Sequence, residues 1–217
     1  MPAAARPSAG SAAAFAAAAM VAVVVASNVL VQYPVDARLG EVALADVLTW
    51  GAFTYPVAFL VTDLTNRWLG PAPARRVVYA GFAVAVALSF ALATPRIAVA
   101  SGSAFLVAQL LDIGLFNRLR RAAWWQAPFV ASAIGSILDT ALFFSVAFGP
   151  LGRPFGADDA FALEYAPLFG AFATELPRWA SWALGDLAVK LTAALVLLAP
   201  YRVAMALIFA PPYEARA

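Results

Sequence analysis

The chain has 217 residues, of which 64% are hydrophobic and only 12% are charged, and its mean hydropathy is +0.85. Ordinary soluble domains contain roughly 45 to 50% apolar and about 25% charged residues, so a water-facing globule could not bury this apolar content, and the composition predicts a membrane protein. The formal net charge of +2 is too small to indicate a nucleic-acid-binding surface.

The sequence contains neither cysteine nor histidine, which removes several chemistries. A thiol nucleophile, a disulfide, an imidazole proton relay and a His/Cys zinc site are all excluded. The remaining functional groups are carboxylates, amides, hydroxyls, aromatic rings, arginines and a single lysine, Lys190. We therefore expect neither a metal nor a cofactor.

Six stretches of the sequence are long and apolar enough to cross a bilayer, for which about 20 residues are needed. They cover residues 12–31, 47–66, 76–94, 97–116, 127–148 and 179 to beyond 200. We predict an all-α polytopic protein, with a disordered cytoplasmic tail at 1–11, a six-helix transmembrane domain at 12–210 and a cytoplasmic tail at 211–217. The alanine-rich start is not expected to be a cleaved signal peptide, because its apolar run exceeds the usual length of about 7 to 15 residues.

Successive segments outside the predicted helices are alternately rich and poor in arginine. Nine arginines fall on one side of the membrane and four on the other. Because positive residues are retained in the cytoplasm, both termini are predicted to be cytoplasmic and the protein to lie in the inner (plasma) membrane as a multi-pass protein. The longest outer loop spans residues 149–177. Within it, an apolar stretch at 161–176 is expected to lie on the outer interface as a short helix.

Three polar side chains fall near the bilayer midplane of the predicted helices. Asp139, Gln109 and Lys190 each lie about 16 to 18 Å from the start of their helix, at a rise of about 1.5 Å per residue. Asp186 precedes Lys190 by four residues and shares its helix face. Ionisable groups at this depth cost about 2.5 to 3.5 kcal/mol each, which makes them candidates for substrate contact. The alternatives are a neutralising pair for Asp186 and Lys190, and helix-to-helix contacts for Asp139 and Gln109.

Two further places contain candidate contact residues. Asn28, near the outer end of the first helix, either contributes to an outer opening or faces interfacial water. Trp50, Phe53 and Tyr55 precede Pro56, which leaves a backbone carbonyl without its helical donor. This aromatic segment is either a wall for a flat ligand or a simple structural kink.

Two acids near the inner helix ends are expected to have structural roles. Asp63 lies four residues before Arg67, and Asp112 lies six residues before Arg118. Both combinations are interpreted as capping pairs at the cytoplasmic ends of their helices.

A series of motifs runs in order from the first to the sixth predicted helix. It comprises Ser27-Asn28-x-x-x-Gln32, Thr49-Trp50-Gly51-Ala52-Phe53-Thr54-Tyr55-Pro56, Thr62-Asp63-Leu64-Thr65-Asn66-Arg67, Gln109-x-x-Asp112, Phe116-Asn117-Arg118-Leu119-Arg120 and Asp139-Thr140, with Asp186 and Lys190 in the sixth helix. In these motifs the chain resembles the bacterial queuosine-precursor transporters, formerly catalogued as vitamin-uptake proteins. It departs from that family between the third and fourth helices, where the connection is shorter.

The resemblance implies a six-helix fold related to the substrate-binding subunits of energy-coupling-factor vitamin transporters. It also implies uptake of 7-cyano-7-deazaguanine and 7-aminomethyl-7-deazaguanine for queuosine modification of tRNA. Such a base presents adjacent N–H and amino donors that suit a carboxylate, an O6 acceptor that suits a lysine or an amide, and a flat face that stacks on aromatic rings. The candidate substrate-binding residues are Asn28, Trp50, Phe53, Tyr55, Gln109, Asp139, Asp186 and Lys190.

The leading interpretation is an importer that works without other proteins. Its expected partners are the lipid bilayer and a small 7-deazaguanine substrate, and it is not expected to bind nucleic acid. A homo-oligomer or an energy-coupling partner is left open.

The alternative is a subunit that binds a vitamin-like heterocycle but needs separate energy-coupling ATPase partners. Ala18, Ala22 and Ala26 would then form its docking face, although their spacing is also typical of an alanine-rich chain. An enzyme is not expected, because no acids are spaced for hydrolysis and Ser181 is nine residues from Lys190.

Overall fold

The structure is a computed structural model that describes residues 8–209. Its helices are α1 (Ala9–Leu30), α2 (Gly51–Thr54), α3 (Val57–Leu69), α4 (Pro71–Leu92), α5 (Pro95–Leu119), α6 (Gln126–Ala147), α7 (Ala160–Leu163), α8 (Arg178–Val196) and α9 (Leu198–Phe209). Its strands are β1 (Arg38–Leu39), β2 (Val42–Ala43), β3 (Tyr165–Leu168) and β4 (Phe172–Pro177). The parts of the predicted tails at 1–7 and 211–217 lie outside the described residues.

Five helical stretches are long and apolar enough to cross a membrane. They are Ala9–Leu30, Pro71–Leu92, Pro95–Leu119, Gln126–Ala147 and Arg178–Ile208, the last of which joins α8 to α9. This confirms the prediction of a mainly helical chain with several membrane-spanning helices. The first helix begins three residues before the expected start at residue 12, because the Ser8 Oγ accepts a hydrogen bond from the Ser11 N–H at 3.2 Å and caps it.

The second predicted span, 47–66, is not one helix in the structure. The chain forms a 3-10 helix at Leu44–Asp46, then the short α2, and turns at Tyr55 and Pro56 before α3 begins at Val57. Pro56 has no backbone N–H to continue the hydrogen-bonding pattern, and α3 has only 13 residues. The interruption places the Tyr55 side chain at a helix break.

The helices pack closely because small residues lie where they meet. A Cβ atom added at Gly81 of α4 would come within 2.5 Å of the Met20 side chain of α1, and one at Gly135 of α6 would come within 2.8 Å of Phe59. Met20 and Phe105 are fully buried in the core between α1, α4 and α5. Helix α5 packs between α4 and α6 and is the most buried of the membrane-length helices.

The loop 149–177, which was predicted to be an outer loop, does not contain the expected interfacial helix. Pro150–Phe155 is a 3-10 helix, only Ala160–Leu163 is α-helical, and most of the remaining apolar stretch forms the antiparallel β3–β4 hairpin. The turn requires positive φ at Phe169 (54°) and at Gly170 (72°), and Gly170 adopts this conformation without a steric penalty. Exposed and half-buried residues alternate along β3, a period of two that suits a strand better than a helix.

The buried Arg96 side chain fixes the start of this loop to the helices. Its guanidinium donates to the carbonyl oxygens of Val146 (3.1 Å), Gly149 (2.6 Å), Gly156 (3.3 Å) and Ala157 (2.9 Å) and to Asp158 Oδ1 (2.9 Å). The Arg96 hydrogen bond, with a smaller contribution from Arg153, lowers the pKa of Asp158 below its usual value. Because folding lowers this pKa, the stabilisation is fully present above about pH 4 and is lost as the pH falls through the lowered pKa.

We predict that Arg96→Lys lowers the free energy of unfolding by about 2 kcal/mol, because a lysine cannot replace the guanidinium at so many buried acceptors. Thermal unfolding in detergent and the rate of proteolysis within 149–177 measure the effect. Arg153→Gln is the matched control, since Arg153 contacts the same Asp158 carboxylate from an exposed position, and its effect should stay below about 0.5 kcal/mol. Equal effects of the two variants would contradict the prediction.

Candidate functional site

A cavity of about 660 Å³ lies among α1, α2, α6 and α8. Its lining runs from Phe148, which follows α6, along α6 to Asp139, and on α8 from Arg178 to Lys190. The β3–β4 hairpin covers one end of the cavity through Ala166 and Phe169. The cavity therefore reaches from the hairpin to charged side chains at the opposite end, which we call its inner end, and its volume suits a small organic ligand.

The inner end of the cavity is built around the Lys190 ammonium group. Lys190 Nζ donates to Asp139 Oδ2 at 2.6 Å and to Asp186 Oδ2 at 2.5 Å, and Thr140 Oγ1 lies 3.3 Å away. The side chains of Lys190 and Asp139 are both only 5% exposed. With two carboxyl groups beside one ammonium, this end of the cavity is rich in hydrogen-bond acceptors, which favours a ligand with hydrogen-bond donors.

Tyr55 completes the contacts of Asp139. Its hydroxyl donates to Asp139 Oδ1 at 2.9 Å, and its ring lies 5.1 Å from Lys190 Nζ, a cation–π distance. The break before Pro56 directs this side chain toward α6. Both carboxylate oxygens of Asp139 are therefore occupied by protein donors.

Asp186 presents the accessible carboxylate of the cluster. Its Oδ2 accepts from Lys190 and from Thr140 Oγ1 at 2.7 Å, whereas its Oδ1 has no hydrogen bond within the described part of the chain. Its side chain is 19% exposed, compared with 5% for Asp139. Asp186 Oδ1 is thus the cluster's open acceptor toward the cavity.

Asn28 lines the same cavity from α1. Its Nδ2 donates to the Val24 carbonyl oxygen at 2.9 Å, and its Oδ1 accepts from Ser89 Oγ at 3.2 Å. The neighbouring Ser27 side chain bonds the Thr54 hydroxyl at 3.0 Å and ties α1 to α2. The structure thus brings five of the predicted site residues to one cavity: Asn28, Tyr55, Asp139, Asp186 and Lys190.

The other three predicted site residues lie elsewhere. Trp50 and Phe53 are 49% and 43% exposed, pack on each other with ring centroids 5.8 Å apart, and do not line the cavity. Residues three apart share a helix face, so these two point away from the side that carries Tyr55. Gln109 is fully buried between α3 and α5, where its Oε1 accepts from Thr62 Oγ1 at 2.6 Å. Its predicted depth says nothing about which face of α5 it occupies.

Sequence reasoning missed most of the aromatic lining. Phe144 and Trp182 both line the cavity, and the Phe144 ring stacks on Trp179 with centroids 6.4 Å apart. Phe144 lies one helical turn after Thr140, and Trp182 lies one turn before Asp186. Searching one turn on either side of each buried polar residue would have found them.

The two expected capping pairs do not form. Arg67 Nε donates to the Tyr201 hydroxyl at 3.0 Å, and its NH1 donates to the Arg120 carbonyl oxygen at 2.7 Å. None of the salt bridges in the described residues contains Asp63 or Asp112. The prediction was wrong because Arg67 donates to acceptors at the helix ends, whereas the Asp63 and Asp112 side chains are buried between the helices.

The sequence matches the family described as "Putative vitamin uptake transporter" over residues 49–94 and 87–204. A Haemophilus influenzae protein named "Probable queuosine precursor transporter" is 36% identical over 163 residues, which cover 63% of this chain and 69% of that protein. The Escherichia coli protein named "Queuosine precursor transporter" is 33% identical over 199 residues, covering 82% and 79%. A Bacillus subtilis protein named "Probable queuosine precursor transporter" is 30% identical over 128 residues, covering 46% and 56%. No solved structure is significantly similar to the chain.

We predict that Lys190→Ala destabilises the fold by about 3 to 5 kcal/mol, because it leaves two buried carboxylates without their cation. Adding Asp139→Asn to Lys190→Ala should restore part of this loss by removing one of the uncompensated charges. Thermal unfolding in detergent of the wild type, both single variants and the double variant measures the coupling. Additive losses in the double variant would show that the ion pair is not the source of the effect.

Proposed function

The chain belongs to the putative vitamin uptake transporter family, and we propose that it imports queuosine precursors across the inner membrane to supply queuosine modification of tRNA. The relatives named as queuosine precursor transporters support this proposal. The proposed substrates are 7-cyano-7-deazaguanine and 7-aminomethyl-7-deazaguanine. The observation that carries the proposal is the open carboxylate oxygen of Asp186, beside Lys190, at the inner end of an aromatic-lined cavity.

The hydrogen-bonding pattern of a deazaguanine matches this inner end. Its ring N–H and amino group are adjacent donors, which we assign to the Asp186 carboxylate. Its O6 is an acceptor, which we assign to the Lys190 ammonium in place of the long 3.3 Å bond to Thr140, while Asp139 maintains the position of the lysine. A 7-deazaadenine would present an amino group where O6 stands, opposite Lys190, so it should be rejected.

The flat faces of the base would lie between aromatic side chains. Phe144 of α6 and Trp182 of α8 line the cavity between the charged end and the hairpin. Stacking against such rings adds affinity that does not depend on the substituent at position 7. Asn28 would contact the polar rim of the substrate from α1. Trp50, Phe53 and Gln109 are assigned no direct contact, because they do not line the cavity.

A midplane site suits a transporter that opens alternately to the two sides. We assign α2 and α3 together to a sixth crossing, because Gly51 to Leu69 would span about 28 Å at the helical rise. Both termini are then cytoplasmic, as the arginine distribution indicates. In this arrangement the β3–β4 hairpin faces the outside and the Lys190 cluster lies halfway across.

The Ala18 and Ala22 side chains give the alternative function some support. Both are exposed on α1, on the side opposite the buried Met20 and Val24. An exposed face of small residues allows the close approach of another helix. The alternative is therefore a substrate-binding subunit that captures a vitamin-like heterocycle but needs separate energy-coupling ATPase partners.

We predict that Asp139→Asn and Asp186→Asn each reduce uptake of 7-cyano-7-deazaguanine at least about tenfold, because a charge-assisted hydrogen bond to the ligand or to Lys190 is lost. Lys190→Ala should abolish uptake. The assay is tRNA queuosine content in a strain that neither makes the base nor has its own importer, at nanomolar external precursor. All variants should still reach the membrane. Asp36→Asn, an exposed outer carboxylate, is the control, and normal uptake by the three site variants would refute the site.

Reconstitution in liposomes separates the two functions. We predict that the purified chain alone carries labelled 7-cyano-7-deazaguanine into liposomes. Binding without uptake, followed by uptake when a bacterial membrane fraction containing energy-coupling ATPases is added, would instead support the binding-subunit alternative. Ala22→Leu on the exposed face should leave uptake unchanged if the chain works alone.

A further inference from the structure

A second group of buried polar side chains lies between α3 and α5, outside the substrate cavity. Asp63 and Asn66 are one helical turn apart on α3, and Gln109 and Asp112 are one turn apart on α5. All four are at most 2% exposed. The Gln109 bond to Thr62 and the bond from Asn66 Nδ2 to the Ile113 carbonyl oxygen (3.3 Å) hold the two helices together at this level.

This group is short of hydrogen-bond donors. Asp63 and Asp112 lie at the same level of the α3–α5 contact, between the Thr62–Gln109 bond and the Asn66–Ile113 bond. Every buried side-chain nitrogen or oxygen that lacks a partner in the described residues belongs to this group: Asp63 Oδ1, Asn66 Oδ1, both oxygens of Asp112 and Gln109 Nε2. Four of these atoms are acceptors and one is a donor. A proton on one carboxyl would supply a donor that the group lacks.

Within residues 8–209, no cationic side chain forms a salt bridge with Asp63 or Asp112. Arg67 faces them from the end of α3 but donates to the Tyr201 hydroxyl of α9 and to the Arg120 carbonyl oxygen. Arg120, after α5, donates to the carbonyl oxygens of Asn66 and Arg67. Lys190 of α8 is held by Asp139 and Asp186. From α6, Ser132 donates to Asp63 Oδ2 at 3.2 Å, and α1 and the buried face of α4 contribute no ionisable group.

The small amount of open space around Asp63 and Asp112 limits which ligand could neutralise these two carboxyl groups. Asp112 lines neither the substrate cavity nor the small void beside Asp63. That void measures about 10 Å³, is lined by both Asp63 and Lys190, and is close to the size that one water molecule needs. A ligand that reaches Asp112 must therefore occupy almost no volume, which favours a proton over a hydrated metal ion.

We propose that Asp63 and Asp112 form a proton-binding carboxyl pair that couples proton movement to substrate transport. Two adjacent buried carboxyl groups do not ionise together, so the pair holds one proton between its oxygens. The proton enters from the outside, is held on one carboxyl oxygen, and leaves to the cytoplasm when the helices open inward. A void of about one water's size lies between Asp63 and Lys190, which also lines the substrate cavity. The coupling role rests on the transport function proposed above.

Infrared spectroscopy tests the proton independently of transport. At neutral pH and without substrate, the wild-type protein in detergent should show the C=O stretching band of one protonated carboxylic acid. Asp112→Asn should remove this band, and Glu175→Gln, an exposed carboxylate of β4, should leave it unchanged. Asp139→Asn, which removes a carboxyl group of the Lys190 cluster, should also leave the band unchanged. Absence of the band from the wild type, or its persistence in both Asp63→Asn and Asp112→Asn, would overturn the proposal.

Liposomes test the coupling. With an acidic exterior, the wild type should accumulate labelled 7-cyano-7-deazaguanine. Asp112→Asn should still exchange labelled for unlabelled base at equal concentrations, which shows that it is folded, but should lose the accumulation. Accumulation by Asp112→Asn at the wild-type level, or accumulation that follows a sodium gradient rather than a pH gradient, would overturn the coupling. If the wild type exchanges no 7-deazaguanine at all, the proposed function fails instead, and the infrared result still decides whether the pair holds a proton.

Discussion

A lysine inside a bilayer-length helix is stable only when carboxylates surround it, and the arrangement around Lys190 follows from this requirement. Asp186 shares its helix, Asp139 comes from α6, and Tyr55 reaches Asp139 from the break between α2 and α3. One ammonium group thus draws three parts of the chain to a common point. The cavity ends at this point because these polar side chains fill the space by hydrogen-bonding to one another. Apolar residues of the surrounding helices pack around them.

The Lys190 cluster and the Asp63–Asp112 pair differ in their charge balance and in the amount of open space beside them. The Lys190 cluster has a cation, nearly complete hydrogen bonding and an opening onto about 660 Å³ of space. The Asp63–Asp112 pair forms no salt bridge within the described part of the chain, has incomplete hydrogen bonding and adjoins almost no open space. A flat organic base suits the Lys190 cluster, which has an open acceptor and room for a ligand. A proton suits the Asp63–Asp112 pair, which lacks a hydrogen-bond donor and adjoins almost no open space.

Hydropathy predicted the long apolar helices because lipid selects for uninterrupted apolar runs, and the buried charged residues identified part of the cavity lining because charge at that depth is costly. Hydropathy did not predict that the span 47–66 is interrupted, since its composition remains apolar whether or not the helix is continuous; only Pro56 indicated a kink there. Gln109 was assigned to the substrate site from its depth in the membrane alone, without considering which face of α5 it occupies. The proximity of Asp63 and Asp112 depends on how α3 packs on α5, a long-range contact that no local sequence pattern encodes.

The hairpin over the cavity implies an asymmetry between the two sides of the membrane. Arg96 secures the beginning of the outer loop, while the hairpin tip is held mainly by the Phe169 N–H bond to Ser181 Oγ at 2.9 Å. On the opposite side, closure depends on packed helices and the Arg67–Arg120 contacts. Loop displacements occur in nanoseconds to microseconds, whereas helix rearrangements take microseconds to milliseconds. For the import that we propose, release into the cytoplasm, rather than capture from outside, would then set the turnover rate.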